Sequence, residues 1–451
     1  PKPLAPIGSK RSAGTRILSV MVKVAPWGWL QAASKASEAS VMAERTLWGV
    51  RPLMVALWLP AYTRSSRAAE GIGMILLMKD PRMTLLAERL CTHSTQLGPE
   101  DKVLVHAFDL PEAMTVELVK AAQATGAQTF VKIENTKVAR ALMLGMSEGN
   151  AATQAEIDLH EMKQMTAYIA LRGSDNAMEM ADIPAETRSM WKKVHSQPVH
   201  MNQRVPFTKW VVLRWPSPSM AQMAGQSTEA FEDFYFDVCT LDYGRMQKAA
   251  EPLVDLMTRT DKVHLVGPGT DLSFSIKGVG AVSCHGRRNI PDGECFSAPV
   301  LGTGEGTVQY NTVSLYQGTE FKDIRFVVKG GRIVEATAGD KTDLLNQILD
   351  TDEGGRSFGE WSLGYNPFVL HPMKDTLFDE KIAGSFHLTP GNSYPPPGGN
   401  GNKSAIHWDI VCIQRPEYGG GEVWFDDVLI RKDGLFVIPE LEGLNPGPLS
   451  A

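Results

Sequence analysis

The stretch DKVLVHAFDLPEAMTVELVKAAQATGAQTFVKIE, at 101–134, constrains the fold more than any other part of the chain. Its first eight residues are a short apolar run, the pattern of a buried strand. Residues 110–127 then carry a helical pattern with Pro111 at the start and Gly126 at the end. Proline pre-sets a helical φ, and glycine accepts the left-handed conformation that stops a helix. QTFVKIE at 128–134 returns to strand character. A strand, a helix and a strand with such short joints form a βαβ unit, which predicts parallel pairing. YIALRG at 168–173 and WVVLRWP at 210–216 supply further strands, so an α/β domain with a mostly parallel sheet is expected over 78–245.

Beyond residue 246 the pattern changes. Alternating segments such as KVHLVGPGTDLSFSIKG, TVSLYQ and DIRFVVKGGRIVEAT are punctuated by glycine, and FVVKGGRIVEA predicts a hairpin turning at Gly330-Gly331. The expected fold class is therefore α/β, with a β-rich α+β domain over 246–451 following the first. Residues 1–77 stand apart: ten Lys or Arg, three Glu, no Asp and four of the ten Trp. That is the composition of a transit peptide or of read-through upstream sequence. This basic extension is expected to lie outside the catalytic fold, with Met74 or Met78 as the expected true start.

Charge and cysteine usage exclude several function classes. With 45 basic and 51 acidic residues the net charge is −6, which offers no general attraction for nucleic acid or anionic lipid. The longest apolar run, 52–60, is interrupted by prolines and is far short of the ~20 residues that span a bilayer. Five scattered cysteines, with no C-x-x-C, argue against a disulfide framework or a thiolate zinc site and fit a reducing cytoplasm. A small-molecule or peptide substrate is the remaining default, with neither nucleic acid nor membrane as partner.

Chemistry-bearing residues gather in four short motifs of the second half. NIPDGECF at 289–296 carries Glu294 after a Pro-Asp-Gly turn, and GEWSLGYNP at 359–367 carries Glu360. LFDEKIAGSFHLTPGNSYPPPGG at 377–399 carries Asp379, Glu380, Lys381, His387 and Tyr394, and SAIHWD at 404–409 adds His407 and Asp409. SAIHWDIVCI reads as a strand, whose alternation puts His407 and Asp409 on one face and Ile406, Trp408 and Ile410 on the other. Singly, each residue also has a plain structural reading: Glu294 as a solvated turn residue, Glu360 as a helix-starting carboxylate, His387 as a core histidine bonded to backbone. Glycines beside several of these positions permit the close backbone approach that sites require.

Together the motifs N-x-P-D-G-E-x-F-x-A-P, G-E-x-x-L-G-x-N, F-D-E-K-x-x-G-x-x-H and S-A-x-H-W-D, with GTDLSFSIKG at 269–278, resemble the M29 metallo-aminopeptidases over about residues 80–451. The resemblance implies an aminopeptidase with two divalent metal ions per subunit, held by Glu294, Glu360, His387, His407 and Asp409, with Tyr394 as the active-site tyrosine. Three carboxylates and two imidazoles suit Zn, Co or Mn better than Mg or Ca. Glu360 is expected between the two ions. Glu380 is the candidate general base or a supporting carboxylate, with Lys381 balancing its charge, and an ordinary surface ion pair is the competing reading of both. Tyr394 is expected to donate to the developing oxyanion. The resemblance further implies a homodimer that encloses its active sites and favours small peptides. HLTPGNSY departs from the family at Thr389-Pro390, and the loop after Tyr394 is unusually rich in proline and glycine. The alternative reading is a mononuclear iron dioxygenase of the dihydroxypyridine type, in which His387, His407 and Asp409 form the triad; such a site needs neither Glu294 nor Glu360.

Overall fold

The computed structural model describes residues 80–450, so the basic extension over 1–77 lies outside the described residues. The first strand, β1 (Lys102–Phe108), has a buried middle. It leads through Pro111 into α1 (Glu112–Ala124), which buries Met114, Leu118 and Ala122. The helix stops at Thr125, and Gly126 at φ +86 turns the chain into β2 (Gln128–Glu134). A Cβ at Gly126 would press on Pro99 at 3.1 Å, so the position needs glycine for both conformation and space. β1 and β2 pair in parallel from Lys102 opposite Gln128 to Phe108 opposite Glu134, as a βαβ unit requires.

β3 (Ala167–Arg172) and β4 (Lys209–Arg214) extend the sheet on the other side of β1. The fifth strand comes from much later in the chain. After β5 (Val282–Cys284), the two residues of β6 (Asn289–Ile290) pair in parallel with Val212 and Leu213 of β4. The order is β2-β1-β3-β4-β6, and β2 is an edge.

The C-terminal region is β-rich. An eight-stranded antiparallel sheet contains the hairpin Ile324–Lys329 and Arg332–Ala338, which turns at Gly330 (φ +55) and Gly331 (φ +71) as the motif predicts. Two consecutive positive φ values are the twist a two-residue hairpin needs. A further five-stranded sheet runs β10-β9-β8-β7-β5, made by β7 (Glu294–Ser297), β8 (Phe358–Gly364), β9 (Ser385–Pro390), β10 (Val411–Ile413) and β5. Every residue of β8 is buried. Alternation turns Trp361 toward Phe274 and Phe425, with ring centroids 5.4 and 5.8 Å away, and leaves Glu360 and Ser362 on the opposite face. An apolar layer thus backs a polar one on a single strand.

One element differs from expectation. Residues 404–410 are not a strand; His407 makes an isolated bridge to Gly391, and the ladder begins only at Val411. Burial still alternates, with Ile406, Trp408 and Ile410 buried and His407 and Asp409 less so. The facing segment contains Pro390, which has no N–H to offer a ladder, and few backbone bonds cross: Trp408 N–H reaches the Pro390 carbonyl at 3.3 Å and Asn392 N–H the Ile406 carbonyl at 2.7 Å. Among the described residues no helix is long and apolar enough to cross a membrane.

Candidate metal centre

The polar face of the five-stranded sheet collects side chains from four separate segments. Glu294 opens β7 directly after the Pro-Asp-Gly turn, Glu360 lies on β8, His387 on β9, and His407 and Asp409 on the irregular segment before β10. Ligand atoms of Glu294, Glu360 and His387 lie within 4.8 Å of one another, and so do those of Glu360, His407 and Asp409. Glu360 belongs to both groups. One of its oxygens is 3.4 Å from His387 Nε2, the other 3.3 Å from His407 Nε2, and His407 Nε2 is also 3.2 Å from Asp409 Oδ1. Glu294 Oε2 approaches His387 Nδ1 at 3.6 Å.

The electrostatics of this cluster are those of an anionic cage. Burial opposes protonation of His387, yet Glu294 and Glu360 outweigh it and push the imidazole up to about 9. Burial likewise opposes protonation of His407, and Asp409 and Glu360 raise it to about 12. Burial would raise the carboxyl of Asp409, but His407, His387 and the Thr389 hydroxyl hold it far below the usual range. Glu360 is lowered as well, because His387 and His407 offset its burial. The carboxylates therefore demand positive charge at the imidazole positions. His387 Nδ1 is buried without a hydrogen-bond partner, which with this donor set fits a bound divalent ion. His407 is already oriented for one: its Nδ1–H donates to the Asn392 carbonyl at 2.8 Å, so Nε2 faces Glu360 and Asp409.

Glu380 stands at the edge of the cluster, 2.7 Å from Lys381 Nζ. Burial raises its carboxyl to about 8, with Lys381 pulling it down and Glu294 and Asp409 adding to the rise. Lys381 is 1% exposed, so the ordinary surface ion pair does not describe it. The Tyr394 ring lies between Phe296 and His407, with centroids 5.4 and 5.3 Å away. The residue is 48% exposed, and partial desolvation together with the nearby Glu360 and Asp409 carboxylates raises its proton affinity well above that of an ordinary phenol.

Several supporting residues are not assigned a role by the sequence. Thr389 Oγ1 donates to Asp409 Oδ1 at 2.6 Å, so the departure at Thr389-Pro390 falls on a residue that holds a site carboxylate. Ser362 Oγ is 3.0 Å from Glu294 Oε2 and 3.1 Å from the Cys295 carbonyl. Asp292 and Cys284 form a third group with Glu294. The strand period places Ser362, two residues from Glu360, on the same face as that carboxylate.

The loop after Tyr394 is tied down by side-chain amides. Asn402 Nδ2 donates to the carbonyls of Gly354 and Gly391 at 2.9 and 2.6 Å, and Asn400 Nδ2 to those of Pro299 and Phe358 at 2.6 and 2.8 Å. Ser393 N–H bonds the Asn402 carbonyl at 2.9 Å and closes the loop at its base. A Cβ at Gly399 would sit 1.8 Å from the Tyr394 carbonyl, so the chain passes Tyr394 at a distance only glycine permits.

The family model described as thermophilic metalloprotease (M29) matches residues 79–434. Aminopeptidase T of Thermus aquaticus is 32% identical over 195 residues, covering 38% of this chain and 46% of the relative. Aminopeptidase 2 of Geobacillus stearothermophilus is 34% identical over 163 residues, covering 32% of this chain and 37% of the relative. The chain thus spans less than half the length of these curated relatives. Among solved structures, wild-type AmpT from Thermus thermophilus superposes with a TM-score of 0.67 at 22% identity, covering 79% of this chain and 99% of that one. A 2,5-dihydroxypyridine dioxygenase from Pseudomonas putida superposes with a TM-score of 0.52 at 14% identity, covering 80% of this chain and 98% of that one. These two likenesses are of fold.

Proposed function

This chain belongs to the M29 family of metalloproteases, and from that premise we propose that it is a metal-dependent aminopeptidase that releases N-terminal residues from peptides. The observation that carries the reading is the pair of ligand groups joined at Glu360. Glu294 and His387 would hold one divalent ion, His407 and Asp409 the other, and Glu360 both. Zn, Co or Mn suits the mixed imidazole and carboxylate donors. When bound, such a pair supplies Lewis acidity at the scissile carbonyl and lowers the pKa of water.

The protein's own groups do the rest. Glu380, which would ionise once divalent cations offset the neighbouring Glu294 and Asp409 charges that raise it, accepts the proton of the attacking water and later returns it to the leaving amine. The Tyr394 hydroxyl donates to the carbonyl oxygen as negative charge develops there. Thr389 and the Asn392 carbonyl keep Asp409 and His407 in register with Glu360. Thr389→Val is expected to weaken metal binding by about 10- to 100-fold, the usual cost of losing a hydrogen bond to a ligand. Competition with a fluorescent chelator measures it, and unchanged affinity would remove Thr389 from the site.

The iron dioxygenase reading fits less well. His387 on one side and His407 with Asp409 on the other fall into different ligand groups, with Glu360 between them. A chelator-free preparation assayed for metal and for hydrolysis of leucyl peptides separates the readings. Two divalent ions with release of the N-terminal residue are expected; one iron with oxygen uptake would reverse the conclusion.

The proposal extends to organisation. Residues 78–245 are the α/β domain and 246–451 the catalytic metal-binding domain. All five cysteines are free, which supports a reducing, cytoplasmic setting. A homodimer is supported by exposed Val131 and Ile133 on the β2 edge and by exposed Val138 and Leu142 on α2 (Thr136–Leu144). Light scattering on the purified protein tests that assembly.

A further inference from the structure

Asp292 and Lys381 form a buried pair directly behind the cluster. Asp292 is fixed from every side. Its Oδ2 accepts from Gly286 N–H at 2.6 Å and its Oδ1 from Gly293 N–H at 3.1 Å; its own N–H donates to Tyr243 Oη at 3.1 Å, and its carbonyl accepts from Asn366 Nδ2 at 2.6 Å. Lys381 Nζ lies 3.6 Å from Asp292 Oδ1, 2.5 Å from Glu294 Oε1 and 2.7 Å from Glu380 Oε1. The charged tip thus bonds the Glu294 and Glu380 carboxylates and has the immobile Asp292 carboxylate at longer range behind it.

The two oxygens of Glu294 are therefore inequivalent. Oε1 is bonded to Lys381, while Oε2 faces Ser362 and His387. We infer that Lys381, bonded to Glu294 and Glu380 with the Asp292 charge behind it, is a positioning residue: it confines Glu294 to presenting a single oxygen to an ion, and it fixes the Glu380 carboxyl beside that ligand. This inference rests on the aminopeptidase reading and on Glu380 as its proton acceptor. It has an unusual corollary, because a buried cation touching a metal ligand opposes metal binding by charge. The arrangement trades affinity for geometry.

Lys381→Met distinguishes positioning from support. The variant is expected to bind Zn about 10-fold or more tightly than wild type, since the site gains one negative charge and Glu294 regains its second oxygen. Its kcat is expected to fall about 100-fold with KM within a few-fold, as for a misplaced catalytic group. In a Glu380→Gln background the same substitution is expected to lower kcat less than about 3-fold further, because its effect runs through Glu380. A lower melting temperature with unchanged Zn affinity and kcat would assign Lys381 to structure and overturn the inference, as would a full multiplicative loss in the double variant. If Lys381→Met does not fold, Asp292→Asn serves: about 10-fold lower kcat with weaker Zn binding is expected, because losing this carboxylate leaves the Lys381 charge less compensated beside Glu294, and wild-type kcat overturns the inference. Wild-type protein that binds no divalent ion would instead overturn the reading on which it rests.

Discussion

Glu360→Gln is expected to lose metal and activity together, with hydrolysis falling by about 10³-fold or more. Glu360 is 3% exposed and each of its oxygens faces a different histidine, so no other residue can substitute for either contact. Glutamine keeps the shape but replaces one oxygen by an NH₂ donor and removes the charge that joins the two groups. The remaining carboxylates, Glu294 and Asp409, are left on opposite sides with no shared ligand. Trp361 and Leu363 still pack on the apolar side of the same strand, so the fold is expected to survive and circular dichroism to match wild type. Metal analysis by mass spectrometry beside a peptide assay decides the matter; a variant that retains two ions and full activity would sink the two-ion proposal.

Tyr394→Phe is expected to separate chemistry from binding. The change removes one hydroxyl and leaves the ring contacts with Phe296 and His407 in place. Metal content and KM should stay near wild type, while kcat falls by about 10²- to 10³-fold, the typical cost of deleting a donor aimed at a developing oxyanion. The loop supports this expectation, because asparagine amides and the Ser393–Asn402 bond set the tyrosine's position independently of its hydroxyl. A parallel loss of bound metal would show that the hydroxyl serves the ligands instead.

Much of this architecture is legible in the sequence, and the failures have physical causes. The βαβ unit and the Gly330-Gly331 hairpin are local: hydrophobic period and turn chemistry specify them within a few residues. The candidate ligands are legible as residue types within motifs. Their mutual approach is not, because Glu294 and Asp409 are brought together only by pairings among β7, β8, β9 and β10. The roles of Thr389, Ser362 and Asp292 are not legible for the same reason: each matters through a partner distant in sequence. At 404–410 the burial alternates although the backbone is not a strand. Alternation reports which side chains face inward; whether the backbone also pairs depends on the neighbour, and here the neighbour contains Pro390.

The short strand β6 ties the two halves of the molecule mechanically. Its residues Asn289 and Ile290 are registered against Val212 and Leu213 of the parallel sheet, and four residues after Ile290 the chain reaches Glu294. A protein cut at residue 245 and expressed as its second half would therefore carry all five candidate ligands and still lack the strand that seats the first of them. The ligand-bearing region is complete in composition and incomplete in anchorage, so it is not a portable module that can be transplanted without β4.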